Sequence, residues 1–598
     1  SLLTSNTAMK TLKIKSRISL LFLLLGIGAC DLSEVPVDTA TNQAVFGSES
    51  GLLLYVNSFY DLLPNTDVGV FQDDDNSDLV ARNGVDTYLA PNALSPITSS
   101  GWGWTDLRNI NYFIANAEKS QVSSKAHYLG VARFFRALFY FEKVKRFGDV
   151  PWIDRIIDVD DEVALYAGRD DRFEVMDKVL ADLNFAIENI TLTTDPTRTL
   201  ITKNVVRAYK TRICLFEASL RKYHTDYNKQ ATANQWYEEV IKEANAITGF
   251  TLNQGVTKDR GYRELFIART PLANETILAV ALSADLQVFS SANRRFISPT
   301  YGNRPSLTRR FILTYLNLDG TPFTDSPTYR TTPFVEEVKN RDLRLKQTIR
   351  LGDYRRTENG LPVVAPPNFS QTQTGYQPIK WCYDERFPYD DESRNDNAHI
   401  VMRWGEVLLN KAEALAELER MTPEDWASTI GALRSRAGIT GPTLTTLPTV
   451  ADPYMVDFFK GKFADPILLE VLRERGVELI FEGLRPDDLR RWRLGSLFQD
   501  AEMNGMYVPA LGEYDLNGDG VKDVCFYQGT RPTSTTAGIV FVDVSPSTAA
   551  GRVQLTNGTS GEIRWNPGPR EWQDKKYLYP IPEADRVRNP KLGQNPNW

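Results

Sequence analysis

The chain has 598 residues, 42% of them hydrophobic and 24% charged, with a net charge of −7. This is globular composition, long enough for several domains or one large domain with insertions, and its acidic balance argues against nucleic acid and anionic lipid as partners. Three histidines (His127, His224, His399) and four cysteines (Cys30, Cys214, Cys382, Cys525) offer no Cys-x-x-Cys or His-x-x-x-His spacing, which argues against a zinc ribbon or a thioredoxin-type site.

At the N-terminus, Lys10, Lys13, Lys15 and Arg17 precede an apolar run, ISLLFLLLGIGA, over residues 18–29. The run is too short for a mature membrane span but suits the h-region of a signal peptide behind a basic n-region. Met9 is the more natural start. Ile27-Gly28-Ala29-Cys30 resembles a bacterial lipobox, which predicts a leader over 1–29 and lipidation of Cys30. Cleavage there removes four positive charges and no acid, taking the net charge from −7 to −11. Residues 30–47 are polar and weakly periodic and read as a lipidated tether. The rest, 48–598, reads as one domain.

A helix is predicted over Ser48–Leu63, stopped by Pro64. The stretch from Asp67 to Ser100 is a long polar loop, of the kind that in compact proteins usually has a function. From Thr105 to Tyr223 the apolar positions step by three or four: Val131, Phe134/Phe135, Leu138 and Phe141 over Ala126–Arg146, then Phe173, Met176, Val179 and Leu183 over Asp171–Ile190. Thr202 reads as the cap of a helix over Lys203–Lys222, and Trp236–Ile247 is a further helix. Consecutive helices with short connections predict a mainly α fold, a solenoid of stacked helix pairs. The scaffold then covers about 48–250 and 400–495. Loop-rich regions with short strands are expected at about 64–104, 250–400 and 505–575. The last segment, 577–598, carries four prolines and is expected to lie non-helical across the surface.

Between Met402 and Trp492 the helical stripe is interleaved with Arg473, Glu474, Arg475, Glu478, Glu482, Arg485, Asp487, Asp488, Arg490 and Arg491. A helix so rich in both signs is ordinarily a solvated face with weak pairs; the alternative is buried pairs that cross-link helices. In this block the second reading, a scaffold role, is preferred to a catalytic one.

Four segments carry a family resemblance: KRFGDVPW (145–152), RWGEVLLNKAEAL (403–415), RERGVELIFEGLRPDDLRRW (473–492) and YLYPIPEADRVRNPKLGQNPNW (577–598). In this order they resemble the signature segments of the SusD/RagB family of Bacteroidetes outer-surface lipoproteins. Leu484 and Pro486-Asp487 are the departures. The resemblance implies a tetratricopeptide-like scaffold and no catalysis. It further implies capture of oligosaccharides at the outer-membrane surface and delivery to a SusC-like TonB-dependent transporter. A peptide ligand is the alternative; a protein-binding helical scaffold is a third. No catalytic cofactor is expected, and no carboxylate pair or nucleophile motif argues for an enzyme.

A sugar ring offers apolar C–H faces to aromatic rings and hydroxyls to planar polar side chains. Loop aromatics with polar neighbours are therefore the candidate ligand contacts: Trp102 and Trp104 in Gly-Trp-Gly-Trp, Tyr88 with Arg82, Tyr301 with Arg304, and Trp381 with Tyr383. The segment 515–523 reads Asp-Leu-Asn-Gly-Asp-Gly-Val-Lys-Asp, with oxygen donors at alternate positions and Gly520 for the turn. Phe526 stands where an EF-hand needs an acid. The expectation is a short structural Ca²⁺ hairpin held by Asp515, Asn517, Asp519, the Val521 carbonyl and Asp523.

Overall fold

A computed structural model describes residues 37–64, 74–300 and 302–598. The expected leader and the Cys30 motif lie outside the described residues, as does Tyr301. Among the described residues no helix is long and apolar enough to cross a membrane.

Helices α1 (Val37–Phe46) and α2 (Glu49–Asn57) open the fold. The first falls in the segment expected to be a tether. Phe46 explains its order: the ring is buried and meets Tyr55, Tyr112 and Phe113 at centroid distances of 5.8, 6.3 and 5.8 Å. The scaffold continues with α3 (Thr105–Ala117), α4 (Lys125–Phe147), α5 (Arg172–Asn189), α6 (Lys203–Tyr223) and α7 (Ala233–Ala246). Their ends follow local chemistry. Gly148, at φ +73°, closes α4 by donating its N–H to Val144. The Asp171 carboxylate accepts the Phe173 and Glu174 amides at the start of α5, and Thr202 accepts that of Val205 at the start of α6. Successive helices pack in pairs, α3 on α4, α4 on α5 and α6 on α7, as the periodicity predicts.

The chain rejoins the scaffold with α8 (Trp404–Glu417), α9 (Ile430–Arg436), α10 (Pro466–Leu479) and α11 (Arg485–Arg491). Helix α8 packs against α6, α7 and α10. Here most of the dense charges are buried, not solvated. Glu478 has no exposed surface; its carboxylate accepts Arg403 Nη1 at 2.7 Å, Arg344 Nη1 at 2.7 Å and Arg436 Nη2. Glu275 joins the cluster through Arg403 and Arg436, at 2.8 and 3.0 Å. A second cluster links α8 to α11: Glu413 accepts Arg491 Nη2 at 2.8 Å and the Trp492 indole N–H at 2.9 Å. Three guanidiniums hold the Glu478 carboxyl far below the usual carboxylate range against the opposing effect of burial. These are the buried cross-links between helices that the charge pattern allowed.

Short strands lie in the loop-rich regions. Strand β1 (Val80–Ala81) pairs with β3 (Ser306–Leu307), and β2 (Thr276–Val280) with β6 (His399–Arg403). Strands β4 (Arg355–Glu358) and β5 (Leu361–Val364) form a hairpin. Strand β7 (Asn504–Val508) is the edge of a sheet ordered β11-β12-β7, with β11 at Arg552–Leu555 and β12 at Gly561–Asn566. A second sheet is ordered β10-β9-β8, with β8 at Gly512–Tyr514, β9 at Val524–Tyr527 and β10 at Val540–Asp543.

The final segment is tied down as expected, but it is not free of helix. Glu583–Arg588 forms a short helix, α12. Pro582 immediately precedes it and Pro590 follows, so the prolines bracket the helix and do not interrupt it. The Tyr579 amide donates to the Arg146 carbonyl at 2.7 Å, and Asn595 Nδ2 donates to the Phe147 carbonyl at 2.9 Å. Arg169 donates to Leu592 O and Asn595 Oδ1. The end of the chain thus closes over the end of α4.

Candidate functional site

The pairing of β1 with β3 brings two loops predicted to meet ligand into one place. Arg82 and Asn83 follow β1; Asn303 and Arg304 precede β3. The Asn83 amide donates to the Asn303 carbonyl at 2.8 Å, and Arg304 Nη2 donates to Asn83 Oδ1 at 3.0 Å. Gln373 Nε2 donates to the same Asn83 oxygen at 2.7 Å. Arg82 Nη1 donates to Asn76 Oδ1 at 3.1 Å, and the Trp565 indole N–H caps the Arg82 carbonyl at 2.8 Å. Both arginines are half-buried. Burial pulls the Arg304 guanidinium down from its ordinary value, and no carboxylate among the described residues opposes it. Its backbone sits at φ +45°, an uncommon conformation for a residue with a side chain. The result is a cluster of planar polar groups on rigid strand ends, suited to paired hydrogen bonds with adjacent hydroxyls.

Trp102 and Trp104 lie elsewhere. Their rings meet edge to face at 5.3 Å; Trp102 packs on Phe147 at 4.9 Å and Trp104 on Phe139 at 5.6 Å. Trp102 is 8% exposed and Trp104 is half-buried. Together they line a cavity of about 410 Å³ with Ile153, Val159 and Tyr166, a lining that includes neither Arg82 nor Arg304.

The other expected aromatics are structural. Trp381 is 1% exposed, donates its indole N–H to the Phe481 carbonyl at 2.9 Å and stacks on His399 at 5.3 Å. Tyr383 is buried, with its hydroxyl donated to Asp396 at 2.8 Å. Tyr88 is buried too: it donates to the Lys576 carbonyl at 2.7 Å and stacks on Tyr579 at 5.2 Å, and burial pushes its hydroxyl to about 12. Their neighbours bury these rings because the loops carrying them fold back onto the scaffold. Aromatic content cannot distinguish that from exposure.

The 515–523 segment is the turn between antiparallel β8 and β9, with Gly518 and Gly520 at φ +81° and +87°. Asp515 accepts the Gly518 amide at 2.7 Å and the Gly520 amide at 2.8 Å; Asp519 accepts Val521 N at 2.8 Å and Asp523 accepts Leu516 N at 2.7 Å. Partial burial pushes the Asp523 carboxyl up to about 6, with the charges of Asp515 and Asp519 adding to it. Among the described residues no group of three or more His, Cys, Asp or Glu side chains is gathered to hold a metal ion.

Sequence reasoning missed Asn83, Asn303 and Gln373. Their placement depends on a strand pairing across more than two hundred residues that no local pattern announces.

A helix-pair scaffold, with loop-borne polar groups collected on short strands beside it, defines a helical solenoid protein with loop-rich insertions. Residues 274–598 match the model of the SusD family, and the chain belongs to that family. A SusD-like protein from Formosa agariphila is 22% identical over 529 residues, covering 81% of this chain and 91% of that protein. A SusD-like protein from Bacteroides fragilis superposes with a TM-score of 0.65 at 22% identity, covering 94% of this chain and all of the other. A structure described as a SusD-like carbohydrate-binding protein, also from Bacteroides fragilis, gives a TM-score of 0.63 at 19% identity, with 92% of this chain and all of that chain covered.

Proposed function

We propose that the protein is a non-catalytic cell-surface lipoprotein that captures an oligosaccharide and passes it to a SusC-like TonB-dependent transporter in the outer membrane. The observation that carries the glycan reading is the convergence of Arg82, Asn83 and Arg304, with Arg304 having no carboxylate partner among the described residues. Family membership and the carbohydrate-binding description of one structural relative support it. Anchoring through Cys30 rests on the leader pattern. A shallow polar face buries little ligand surface, so affinity per site is modest. Glycan-array binding by the soluble chain from Asp31 onward tests the reading. Binding to peptides and to no glycan reverses the ligand class; turnover of a bound glycan reverses the absence of catalysis.

The 515–523 hairpin is read as a structural calcium loop. Its alternating Asp515, Asn517, Asp519 order supports this. Asp515, Asn517, Asp519, the Val521 carbonyl and Asp523 would hold the ion and clamp the turn.

A further inference from the structure

A cavity of about 500 Å³ lies where the β4–β5 hairpin, the 297–299 segment and the 521–523 turn approach one another. Arg350 and Arg356 line it, 4% and 5% exposed. Buried guanidiniums are normally paired, because an unpaired buried charge is costly. Arg356 is half paired: Nη2 donates to Asp390 Oδ1 at 2.7 Å and to the Glu385 carbonyl at 3.2 Å, while buried Nε and Nη1 have no partner. Arg350 has no ion pair among the described residues. Its one hydrogen bond from the guanidinium is Nη1 to the Pro366 carbonyl at 3.4 Å, and its buried Nε has none.

The acids on the same wall, Glu358, Asp390, Asp391 and Asp523, equal its cations Arg350, Arg356, Arg386 and Lys522 in number, but among the described residues none forms an ion pair with Arg350. Asp390 is already shared between Arg356 and Asn293 Nδ2 at 3.0 Å. Glu358 faces Arg386 at 3.6 Å, and Asp523 accepts the Leu516 amide. Asp391 is exposed. Burial lowers Arg350 to about 10, and neighbouring Arg356 repels it further. Three buried guanidinium nitrogens on two adjacent cations therefore lack an acceptor, and both side chains border a cavity wide enough for a sugar substituent.

We propose that this cavity takes an anionic group, a carboxylate or a sulfate, carried by the captured ligand, with Arg350 and Arg356 as its donors. A planar guanidinium pair matches the paired oxygens of either group. The proposal deepens the glycan reading and rests on it for the identity of the carrier: the ligand becomes an acidic glycan, uronate-bearing or sulfated.

Calorimetry on the full chain in detergent, with D-glucuronate, inorganic sulfate and glucose as separate probes, tests it. One or both anions bind and glucose does not; Arg350→Met weakens the anion at least tenfold while leaving the melting temperature unchanged or higher, since an unpaired cation is removed. Glucuronate alone assigns a uronate and sulfate alone a sulfate ester. Binding of neither anion by the unaltered chain overturns the proposal, whatever the variant does. So does a collapsed melting temperature in Arg350→Met, which would make the guanidinium structural. Neutral oligosaccharide binding without anion binding overturns this cavity's role but leaves the glycan reading intact. Anion binding without any oligosaccharide binding does the reverse.

Discussion

Replacing Glu478 by Gln is the sharpest perturbation of the scaffold. The substitution keeps the side-chain shape but removes the one charge that Arg403, Arg344 and Arg436 share, at 2.7 Å from the first two. All four side chains are buried, so water cannot replace the lost carboxylate. Breaking a buried pair by removing one partner costs about 3–5 kcal/mol. Urea unfolding of the variant and the unaltered chain at pH 7 reads this difference directly. Its pH dependence has a definite sign. The folded-state carboxyl of Glu478 is depressed, so its contribution is complete above the unfolded carboxyl value of about 4.3 and is lost as pH falls towards the folded one. The gap between the two proteins is therefore full at pH 7 and narrows below about pH 4. A loss under about 1 kcal/mol at pH 7 would refute the buried-network account and return these charges to the weak surface class.

Arg304→Ala and Arg82→Ala are each expected to weaken glycan binding about tenfold with little change in unfolding free energy, read by calorimetry on an array-identified oligosaccharide; each removes a charged donor at a strand end. Calcium titration is expected to release heat with the unaltered chain and none with Asp519→Ala; absence of heat in both would end the calcium reading. Buried His224 and His399 are both pushed down to about 4 by burial, so they stay neutral in the fold and gain protons on unfolding. Stability should accordingly drop as pH falls from about 6.5 to 4, by about 3 kcal/mol for each histidine, and a flat stability profile there would contradict their burial. Labelled palmitate incorporation should vanish in Cys30→Ala.

The scaffold was legible because its signals are local. The stripe from Val131 to Phe141 needs only helical spacing, and Thr202 needs only the three residues after it. The family segments added the order of the parts. The candidate site was half legible: Arg82 and Arg304 could be nominated as loop arginines, but their meeting depends on β1 finding β3. Trp381 shows the limit from the other side. Its loop neighbours are polar, yet the carbonyl of Phe481, a hundred residues on, accepts its indole N–H and holds it inside. The charged block around Glu478 was ambiguous for a related reason, since the same alternation of signs serves a wet surface and a dry network.

The closing of residues 577–598 over α4 has a consequence for how the chain is made. Arg146 and Phe147 receive partners more than four hundred residues downstream, and Tyr88 donates its hydroxyl to Lys576. A nascent chain therefore leaves the ribosome with its first helical pairs capped by nothing, and these contacts form only after synthesis is nearly complete. Such distant closure is slow and keeps the emerging polypeptide unlocked. For a chain exported as proposed, delayed closure would favour passage through a translocation channel before the fold sets.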